Sequence, residues 1–313
     1  MKPRVAVIDI GSNSIKSLVA ERDGGTFGLR ALHEKTLEVR ISQGIGGNPP
    51  MLHAERIEAG VEAVRELWDD CQDNGPLGGL RIVATSAVRS AGNGQLFTGA
   101  IEALTGISPQ VLTGAEEADA IALGVRTDPS IEDHLNDFTV FDLGGGSLEL
   151  IRFEHHGVTD RTSLPLGAVR LTEQFFSDPS QPIPKIEQVK LYQFIHEHIL
   201  ASGVEVRAPL VGCSGGLAAL RNVVAARAEA HHPDPSYFPR KLIESMAIEF
   251  AGMDLTRRMA VEGLPTRRAD IFPAAMIVFK VLLEMAQADG IRHSLHNLRY
   301  GLALMMLRGI EAA

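Results

Sequence analysis

The chain has 313 residues, a length that favours two domains over one small core. Hydrophobic residues make up 45% and charged residues 22%, as in ordinary soluble globular proteins, and no apolar run reaches the length of a membrane span. The net charge of −9 argues against a nucleic-acid coat or a membrane-surface protein. The N-terminus lacks a signal-peptide pattern, and Cys71 and Cys213 stand in no metal or redox spacing, so we expect a cytoplasmic protein.

The first third of the chain predicts a hairpin and then a helix. Residues 4–10 and 14–21 alternate apolar and polar around the turn Gly11-Ser12-Asn13, which indicates two antiparallel strands. The glycine- and proline-rich segment 44–50 is a predicted loop. Residues 52–73 have helical spacing, with one apolar stripe formed by Ile57, Val61, Val64, Leu67 and Trp68.

The next elements alternate between strand and helix. The segment LRIVATSAVR predicts a buried strand that feeds a loop, residues 94–105 predict a helix, and PQVLT predicts a short strand. The segment GAEEADAIALGV then begins a helix with Glu116 and Glu117 in its first turn, where the helix dipole favours negative charge.

A second hairpin, residues 139–157, opens the other half of the chain. We expect a third strand in RTSLPLGAVRL, a helix continuing through TEQFF, a loop over 178–184 and a helix around 185–202. The segment APLVGCSGGLAAL predicts strand, glycine turn and helix, and the remainder is mostly helical. Asp270 is the expected cap of the apolar helix that carries Pro273 in its first turn.

The two hairpins repeat one pattern of strand, Asp, one residue, Gly, small turn and strand. Asp9 precedes the first turn and Asp142 the second. One such hairpin alone is usually a plain β-turn, but two copies in matching context indicate two related domains that face each other. Glycine and serine let backbone N–H groups converge on an anion, which suits phosphate. The residues of these two nests are Ser12, Asn13, Ser14, Gly144, Gly145, Gly146 and Ser147.

A carboxylate beside each nest would repel phosphate unless a cation lies between them. Mg²⁺ prefers carboxylate and water ligands while it bridges phosphate oxygens. We therefore expect a Mg²⁺ ion at Asp142, with Asp9 in its outer shell.

Six segments together resemble the exopolyphosphatase / guanosine pentaphosphate phosphohydrolase (Ppx/GppA) family of the actin-like ATPase superfamily. The resemblance runs from about residue 5 to the C-terminus. Longer family members carry an extra C-terminal helical domain, and this chain ends before such a domain could begin. The segments are DIGSNSIK, ATSAVRSAGN, TGAEEADAIALGV, VFDLGGGSLEL, LPLGAVRLTEQF and GCSGGLAAL.

The resemblance implies roles for four residues near the first nest. Glu117 corresponds to the catalytic glutamate that acts on the attacking water, and Glu116 is a weaker candidate; both could instead only decorate a helix N-terminus. Arg89 corresponds to a phosphate contact rather than a solvated surface arginine. Lys16 stands where an arginine is common and shares the face of Ser14, within reach of phosphate.

Other candidates carry a plain structural alternative. Gly215 and Gly216 either line the site near the substrate or only form a strand-to-helix turn. Among four clustered arginines, Arg268 matches the family's RRAD segment and is assigned to phosphate binding. For the others, Arg257, Arg258 and Arg267, a solvated helix face is favoured over polyanion binding.

The histidines and the last motif need separate interpretation. His155, His156, His231, His232, His293 and His296 are assigned to no metal site. The segment SLHNLRYGLAL has Asn297 and Tyr300 where the family usually has glycine and glutamate, which leaves substrate preference open.

The predicted fold class is α/β, with two actin-like (ribonuclease H-like) domains, each a mixed five-stranded sheet flanked by helices, and a ligand cleft between them. We place the domains at 1–123 and 124–313, with the C-terminal helix able to pack back on the first. The predicted reaction is Mg²⁺-dependent release of terminal phosphate from polyphosphate or guanosine pentaphosphate. The acidic surface and the absent extra domain favour short chains or the nucleotide. The alternatives are a kinase or ATPase of the same superfamily and a non-catalytic sensor; a homodimer is left open.

Overall fold

The computed structural model describes residues 2–25, 27–45, 49–131, 136–155, 157–227 and 234–311. Of the positions discussed above, residues 46–48 of the glycine-rich loop and His156, His231 and His232 lie outside the described residues. The chain forms two compact units: unit 1 comprises Met1–Pro129 with His296–Ala313, and unit 2 comprises Ser130–Leu295. The boundary predicted from the sequence lay after residue 123, with the C-terminal helix able to pack back on the first domain.

Unit 1 contains a five-stranded sheet in the order β3-β2-β1-β4-β5. β1 pairs antiparallel with β2 and parallel with β4, and β4 pairs parallel with β5. The central strand β1 is apolar on both faces and is therefore buried on both sides, as expected for a strand covered by helices. The strands are β1 (Arg4–Ile10), β2 (Ile15–Arg22), β3 (Leu29–Leu37), β4 (Gly79–Ala84) and β5 (Gln110–Val111).

The helices of unit 1 include the predicted amphipathic helix, which is confirmed as α1. Val64 and Leu67 of its apolar stripe are buried, and Ile57, Val61 and Trp68 pack against the same core. The helices are α1 (Ala54–Asp73), α2 (Ser86–Ser90), α3 (Gly94–Thr105), α4 (Gly114–Val125) and, from the end of the chain, α11 (Leu298–Glu311).

Unit 2 contains a six-stranded sheet in the order β10-β11-β9-β6-β7-β8. Its strands are β6 (Phe138–Leu143), β7 (Leu148–Glu154), β8 (Gly157–Leu164), β9 (Leu210–Gly212), β10 (Tyr237–Pro239) and β11 (Gly290–His293). Its helices are α5 (Ala168–Phe175), α6 (Lys185–Ser202), α7 (Gly215–Ala226), α8 (Arg240–Gly252), α9 (Leu255–Met259) and α10 (Phe272–Met285), with a 3-10 turn at Thr266–Arg268.

Five strands of unit 2 repeat the topology of unit 1. In both sheets a central strand pairs antiparallel with the next strand and parallel with a later one, and a further strand continues the parallel pairing outward. The strands β6, β7, β8, β9 and β11 thus correspond to β1, β2, β3, β4 and β5. The short antiparallel strand β10 at the edge makes unit 2 six-stranded, so the expected five strands in each domain were wrong for this unit.

Several local expectations also need correction. The third strand of unit 2 occupies Gly157–Leu164 and ends before the apolar AVRL segment, which is the start of α5. The expected loop after β4 contains the short helix α2. The cap of α10 is Ile271 rather than Asp270, although Pro273 does lie in the first turn. None of the helices in the described part of the chain is both long enough and apolar enough to cross a bilayer.

Glycines allow α11 to pack directly against α4 in unit 1. A Cβ atom at Gly301 would lie 1.8 Å from the carbonyl oxygen of Ala120, and one at Gly124 would lie 2.0 Å from the carbonyl oxygen of Asn297. Both clashes are with backbone, which cannot swing aside as a flexible side chain can. The C-terminal helix is therefore held at a distance that only glycine permits.

This close packing predicts opposite effects for two glycine-to-alanine changes. Gly301→Ala is expected to destabilise the protein by about 2–3 kcal/mol because α11 must move away from α4. Gly99→Ala in α3 meets nothing within 4 Å and should instead stabilise it by roughly 0.5–1 kcal/mol. Urea denaturation of both variants measures the difference, and equal midpoints would contradict the packing described.

Candidate phosphate-binding site

The first turn, Gly11–Ser14, closes tightly between β1 and β2. The N–H of Gly11 donates to the carbonyl of Ser14 over 3.1 Å, and the strands pair up to Ile10 and Ile15. Ser12, Asn13 and Ser14 are buried despite their polarity, and neither polar side-chain atom of Asn13 has a protein partner. Buried polar atoms without partners are uncommon, so this turn is better suited to a ligand than to a plain reversal of the chain.

A segment that follows β3 lies behind the first turn. The N–H of Arg40 donates to the carbonyl of Asn13 over 2.9 Å, and the N–H of Ser42 donates to the carbonyl of Ser12 over 3.2 Å. Ser42 Oγ donates to that same carbonyl. This backing segment therefore engages the carbonyl oxygens of the turn, which would otherwise repel an anion.

The carboxyl ends of the parallel strands bring the other candidates of unit 1 to the same edge of the sheet. The N–H of Thr85, just after β4, donates to the carbonyl of Ile10 over 3.1 Å. The N–H of Leu112, just after β5, donates to the carbonyl of Ala84 over 2.9 Å. Ligands of α/β proteins bind at this edge, where the loops after the strands converge.

Arg89 and Glu117 meet at this edge. Arg89 Nη1 lies 3.0 Å from Glu117 Oε2 and donates to the carbonyl of Leu112 over 2.6 Å. Glu117 is buried, whereas Arg89 is partly exposed. Because both bonds use Nη1, the rest of the planar guanidinium is available to a phosphate oxygen. The sequence assigned these two residues to one site, and the structure places them in contact.

Glu116 has a different environment from its neighbour. Its Oε2 accepts hydrogen bonds from the backbone N–H and the hydroxyl of Thr113, both over 2.8 Å, while its own N–H donates back to Thr113 Oγ1 over 3.2 Å. This is a capping box at the start of α4. These hydrogen bonds lower the pKa of the Glu116 carboxyl group. Of the two glutamates, Glu116 therefore serves the helix end, and Glu117 faces the site edge.

Asp9 pairs across the hairpin with Lys16. Its Oδ1 atom is buried without a hydrogen-bond partner. Burial raises the pKa of the Asp9 carboxyl group, and the positive charges of Lys16 and Arg299 partly offset that increase. Arg299 comes from α11, is buried, and donates to the carbonyl of Ser17 over 2.7 Å. Sequence reasoning missed Arg299, because its approach to β2 depends on the return of the C-terminal helix.

The second turn, Gly144–Ser147, repeats the first in detail. The N–H of Gly144 donates to the carbonyl of Ser147 over 2.9 Å, as Gly11 does to Ser14. Its backing segment is the start of α5: the N–H of Ala168 donates to the carbonyl of Gly144 over 2.9 Å, and the N–H of Val169 to that of Gly145 over 3.0 Å. In both units, a segment after the third strand thus binds the carbonyl side of the turn.

Gly167 allows this second backing segment to approach. A Cβ atom at Gly167 would lie 2.3 Å from the backbone nitrogen of Gly146 and 2.4 Å from the carbonyl oxygen of Gly145. Any side chain at this position would displace the turn. The glycine of LPLGAVRL therefore keeps α5 within hydrogen-bonding distance.

Asp142 and Glu149 provide the carboxylates expected of a magnesium site. They are direct partners in the register of β6 and β7, so both side chains lie on one face of the sheet. Glu149 is buried and accepts a hydrogen bond from Ser163 Oγ over 2.7 Å. Two like charges at paired positions favour a cation, so the donor set fits Mg²⁺. No group of three or more metal-ligating side chains occurs in the ranges that the structure describes, so water and phosphate would supply the remaining ligands.

Gly215 and Arg268 lie together in unit 2. A Cβ atom at Gly215 would come within 2.7 Å of the Arg268 guanidinium group, which therefore packs against the start of α7. Ser214 caps that helix by accepting from the N–H of Leu217. Gly216 faces Phe279 at close range. The two glycines thus have a packing role, and Gly215 also makes room for an arginine beside the edge where β9 ends.

The other arginines of this segment have no such position. Arg258 is fully buried and donates to four backbone carbonyls, including those of Ala269 and Gln181, so it links segments of unit 2. Burial lowers the pKa of its guanidinium group. Arg257 and Arg267 are exposed. Arg258 is therefore structural, neither a solvated surface residue nor a polyanion contact.

Comparison with known proteins identifies the family. The model of the Ppx/GppA phosphatase family matches residues 18–309 of the chain. The chain belongs to this family.

Individual proteins that resemble this Ppx/GppA chain support the same family. It is 27% identical over 324 aligned residues to the guanosine-5'-triphosphate,3'-diphosphate pyrophosphatase of Aliivibrio fischeri; the alignment covers 99% of this chain but 61% of that relative's length. The crystal structure of the Aquifex aeolicus Ppx/GppA family member matches all of both chains with a TM-score of 0.80 at 24% identity. An exopolyphosphatase from Cytophaga hutchinsonii matches 98% of both chains with a TM-score of 0.84 at 23% identity. The predicted family and the actin-like fold class are confirmed.

The departures from the usual family pattern near the C-terminus have local structural explanations. Asn297 caps α11, because its Oδ1 accepts a hydrogen bond from the N–H of Arg299 over 3.2 Å. Tyr300 donates its hydroxyl to Glu34 Oε1 over 2.7 Å, and Arg299 Nη2 lies 3.1 Å from the other oxygen of that carboxylate. Burial and the neighbouring Glu34 raise the pKa of the Tyr300 hydroxyl group. His296 bonds to Thr127 through Nδ1 over 2.7 Å.

The burial of Asp9 predicts that its removal stabilises the fold. The pKa of Asp9 is higher in the folded state than in the unfolded state, so ionisation of Asp9 opposes folding. As pH rises through the folded pKa, the neutral form that the folded state favours is lost, and the free energy of unfolding decreases. Asp9→Asn should therefore raise the melting temperature by a few degrees at pH 7. This advantage should shrink as pH falls toward about 3, below the unfolded pKa, where Asp9 is mostly protonated in both states.

The control is Asp69→Asn, which removes one charge from an exposed position on α1. Thermal unfolding followed by circular dichroism across the pH range compares the two variants. A destabilised Asp9→Asn protein at pH 7 would show that the buried carboxylate is favourably compensated.

Proposed function

We propose that this protein hydrolyses the terminal phosphoanhydride bond of a phosphate chain, with inorganic polyphosphate or guanosine pentaphosphate as substrate. The observation that carries the proposal is the contact of Arg89 with Glu117 at the carboxyl edge of the unit 1 sheet. Membership of the Ppx/GppA phosphatase family supports a phosphohydrolase. The chain spans about 61% of the Aliivibrio fischeri relative, so that relative's substrate supports the proposal without being transferred to this chain.

The two turns are proposed to hold phosphoryl oxygens through their backbone N–H groups. The backing segments support this role, because they occupy the carbonyl side of each turn and leave the N–H side for an anion. In unit 1, Ser12, Asn13 and Ser14 add side-chain donors, and Lys16 adds positive charge. In unit 2, we assign phosphate binding to Gly144, Gly145, Gly146, Ser147, Gly215, Gly216 and Arg268.

Glu117 is proposed to orient the attacking water and accept its proton. Its buried carboxylate is held in position by Arg89, and a fixed acceptor of this kind can direct water in line with the leaving oxygen. Arg89 would bind an oxygen of the transferring phosphoryl group with the remaining donors of its guanidinium group, and so stabilise charge that develops there. Glu116, engaged with Thr113, is proposed to have no part in the chemistry.

Asp142 and Glu149 would hold a Mg²⁺ ion. The outer-shell role of Asp9 stays a prediction from the sequence. When bound, the ion supplies positive charge that offsets the repulsion between these carboxylates and the phosphate chain. Without it, the carboxylates would weaken phosphate binding at both turns, so this assignment makes activity dependent on a divalent cation.

The net charge of −9 bears on the preferred substrate. A negative surface offers no long-range attraction for a long polyanion, so short polyphosphate or guanosine pentaphosphate is the proposed substrate. A cytoplasmic setting is consistent with two free, buried cysteines and stays a prediction.

The neighbouring glutamates provide a matched pair for testing the mechanism. Glu117→Gln should lower kcat by about 10³-fold, because the amide cannot accept the proton of water. Glu116→Gln keeps the acceptor oxygen of the capping box and should stay within about twofold of the unmodified protein. Phosphate release is measured with Mg²⁺ against tripolyphosphate, long polyphosphate, guanosine pentaphosphate and ATP.

Four results of that assay would count against the proposal. Release from ATP alone would indicate a superfamily ATPase or kinase, and release from none of the four would indicate a binding protein without catalysis. Equal loss in the two glutamine variants would remove the catalytic assignment of Glu117. Equal turnover per chain end of long and short polyphosphate at low salt would contradict the preference for short substrates.

A further inference from the structure

We infer that Arg170, which sequence reasoning did not single out, binds an anionic oxygen of the phosphate chain at the second turn and helps to set substrate affinity. This inference rests on the proposed function, because it adds a binding residue to that site. Arg170 lies in the first turn of α5, in the backing segment of Gly144–Ser147. It is partly exposed, so its side chain can reach a ligand.

The backbone at the start of α5 is already used by the turn. The N–H groups of Ala168, Val169 and Arg170 donate to the carbonyls of Gly144 and Gly145. The start of this helix therefore has few backbone donors left for a phosphate group. Additional positive charge at this point has to come from a side chain, and Arg170 carries it.

The side chain of Arg170 is fixed beside the turn through a single hydrogen bond. Its Nε donates to the carbonyl of Gly146 over 3.2 Å, so all three glycine carbonyls of the turn accept a bond from α5. Within the described residues, its terminal Nη1 and Nη2 groups donate to no protein acceptor. A guanidinium group has five N–H donors in a planar fork that matches phosphate oxygens. The turn thus orients the side chain of Arg170, and its terminal Nη1 and Nη2 groups remain available to phosphate oxygens.

Other arginines of unit 2 show what a purely structural role looks like. Arg227 forms a two-pronged pair with Glu249, at 3.0 and 2.6 Å, and Arg240 donates to the carbonyls of Leu283 and Ala288. Arg292 pairs with Asp234 over 2.5 Å. Their terminal nitrogens have protein acceptors, whereas those of Arg170 do not.

Unit 1 places an arginine in the matching segment. The N–H of Arg40 donates to the carbonyl of Asn13, which corresponds to Gly146, and Arg40 adopts a positive φ of 53°. A non-glycine residue with positive φ is uncommon and is retained where the surroundings require it. Each backing segment thus contains an arginine, but Arg40 contacts its turn through the backbone N–H and Arg170 contacts its turn through the side chain as well.

Calorimetry with inorganic tripolyphosphate and Mg²⁺ tests the inference directly. It uses the full chain carrying Glu117→Gln, so that the ligand is not consumed. Adding Arg170→Gln should weaken tripolyphosphate binding by about 10- to 50-fold, as expected for loss of a charge-assisted contact. Arg170→Lys should recover part of this loss, because lysine restores charge but not the planar fork. The weaker binding of Arg170→Gln should also depend less on ionic strength.

The control is Arg207→Gln, which removes the same charge from an exposed residue paired with Glu205. Its tripolyphosphate affinity should stay within about twofold. If Arg170→Gln also stays within twofold, or if Arg170→Lys is no better than Arg170→Gln, Arg170 does not bind phosphate.

In the otherwise unmodified enzyme, Arg170→Gln should raise KM about 10-fold with kcat within threefold. A protein that binds tripolyphosphate through Arg170 but hydrolyses nothing would overturn the proposed function and keep this inference.

Discussion

The candidate site depends on one backbone constraint: the carbonyl oxygens of each glycine- and serine-containing turn are bound by N–H groups from the segment behind it. In unit 1 these donors are Arg40 and Ser42, and in unit 2 they come from the first residues of α5. An anion is repelled by carbonyl oxygens and attracted by N–H groups. Fixing the carbonyls on the inner side therefore orients each turn for phosphate. Gly167 shows how little room this arrangement leaves, because no side chain fits there.

The charged residues follow from the same topology. Parallel strands end at one edge of each sheet. The helices that begin there are α2 and α4 in unit 1, which carry Arg89 and Glu117, and α7 in unit 2. Carboxylates at the ends of β1 and β6 repel phosphate and so oppose its binding. Burial of the Asp9 carboxylate also opposes folding, because its charge is removed from water. Such local cost is common at functional sites, where binding rather than stability determines the residue. Lys16 and Arg299 reduce the cost in unit 1 without removing it.

Local sequence patterns predicted the repeated hairpins and α1, and the motifs supplied the family and the site candidates Arg89 and Glu117. The contact between these two residues was not predicted and is seen only in the structure. Sequence reasoning missed the largely polar strand β3 and the short strands β10 and β11, whose pairing depends on distant segments. It also missed Arg299, Glu149 and Arg170. Arg299 lies more than 280 positions from its acceptor Ser17, so no local signal could reveal it. Glu149 could have been found from the hairpin register, which places it opposite Asp142.

The most direct test observes the turn amides themselves by nuclear magnetic resonance on deuterated, ¹⁵N-labelled protein. Saturating tripolyphosphate with Mg²⁺ should shift the amide resonances of residues 12–14 and 145–147 and slow their hydrogen exchange. Amides on the outer face of α1, such as that of Glu62, should be unaffected. If the turn amides keep their positions and exchange rates while tripolyphosphate binds elsewhere, the turns do not hold phosphate and the account is wrong.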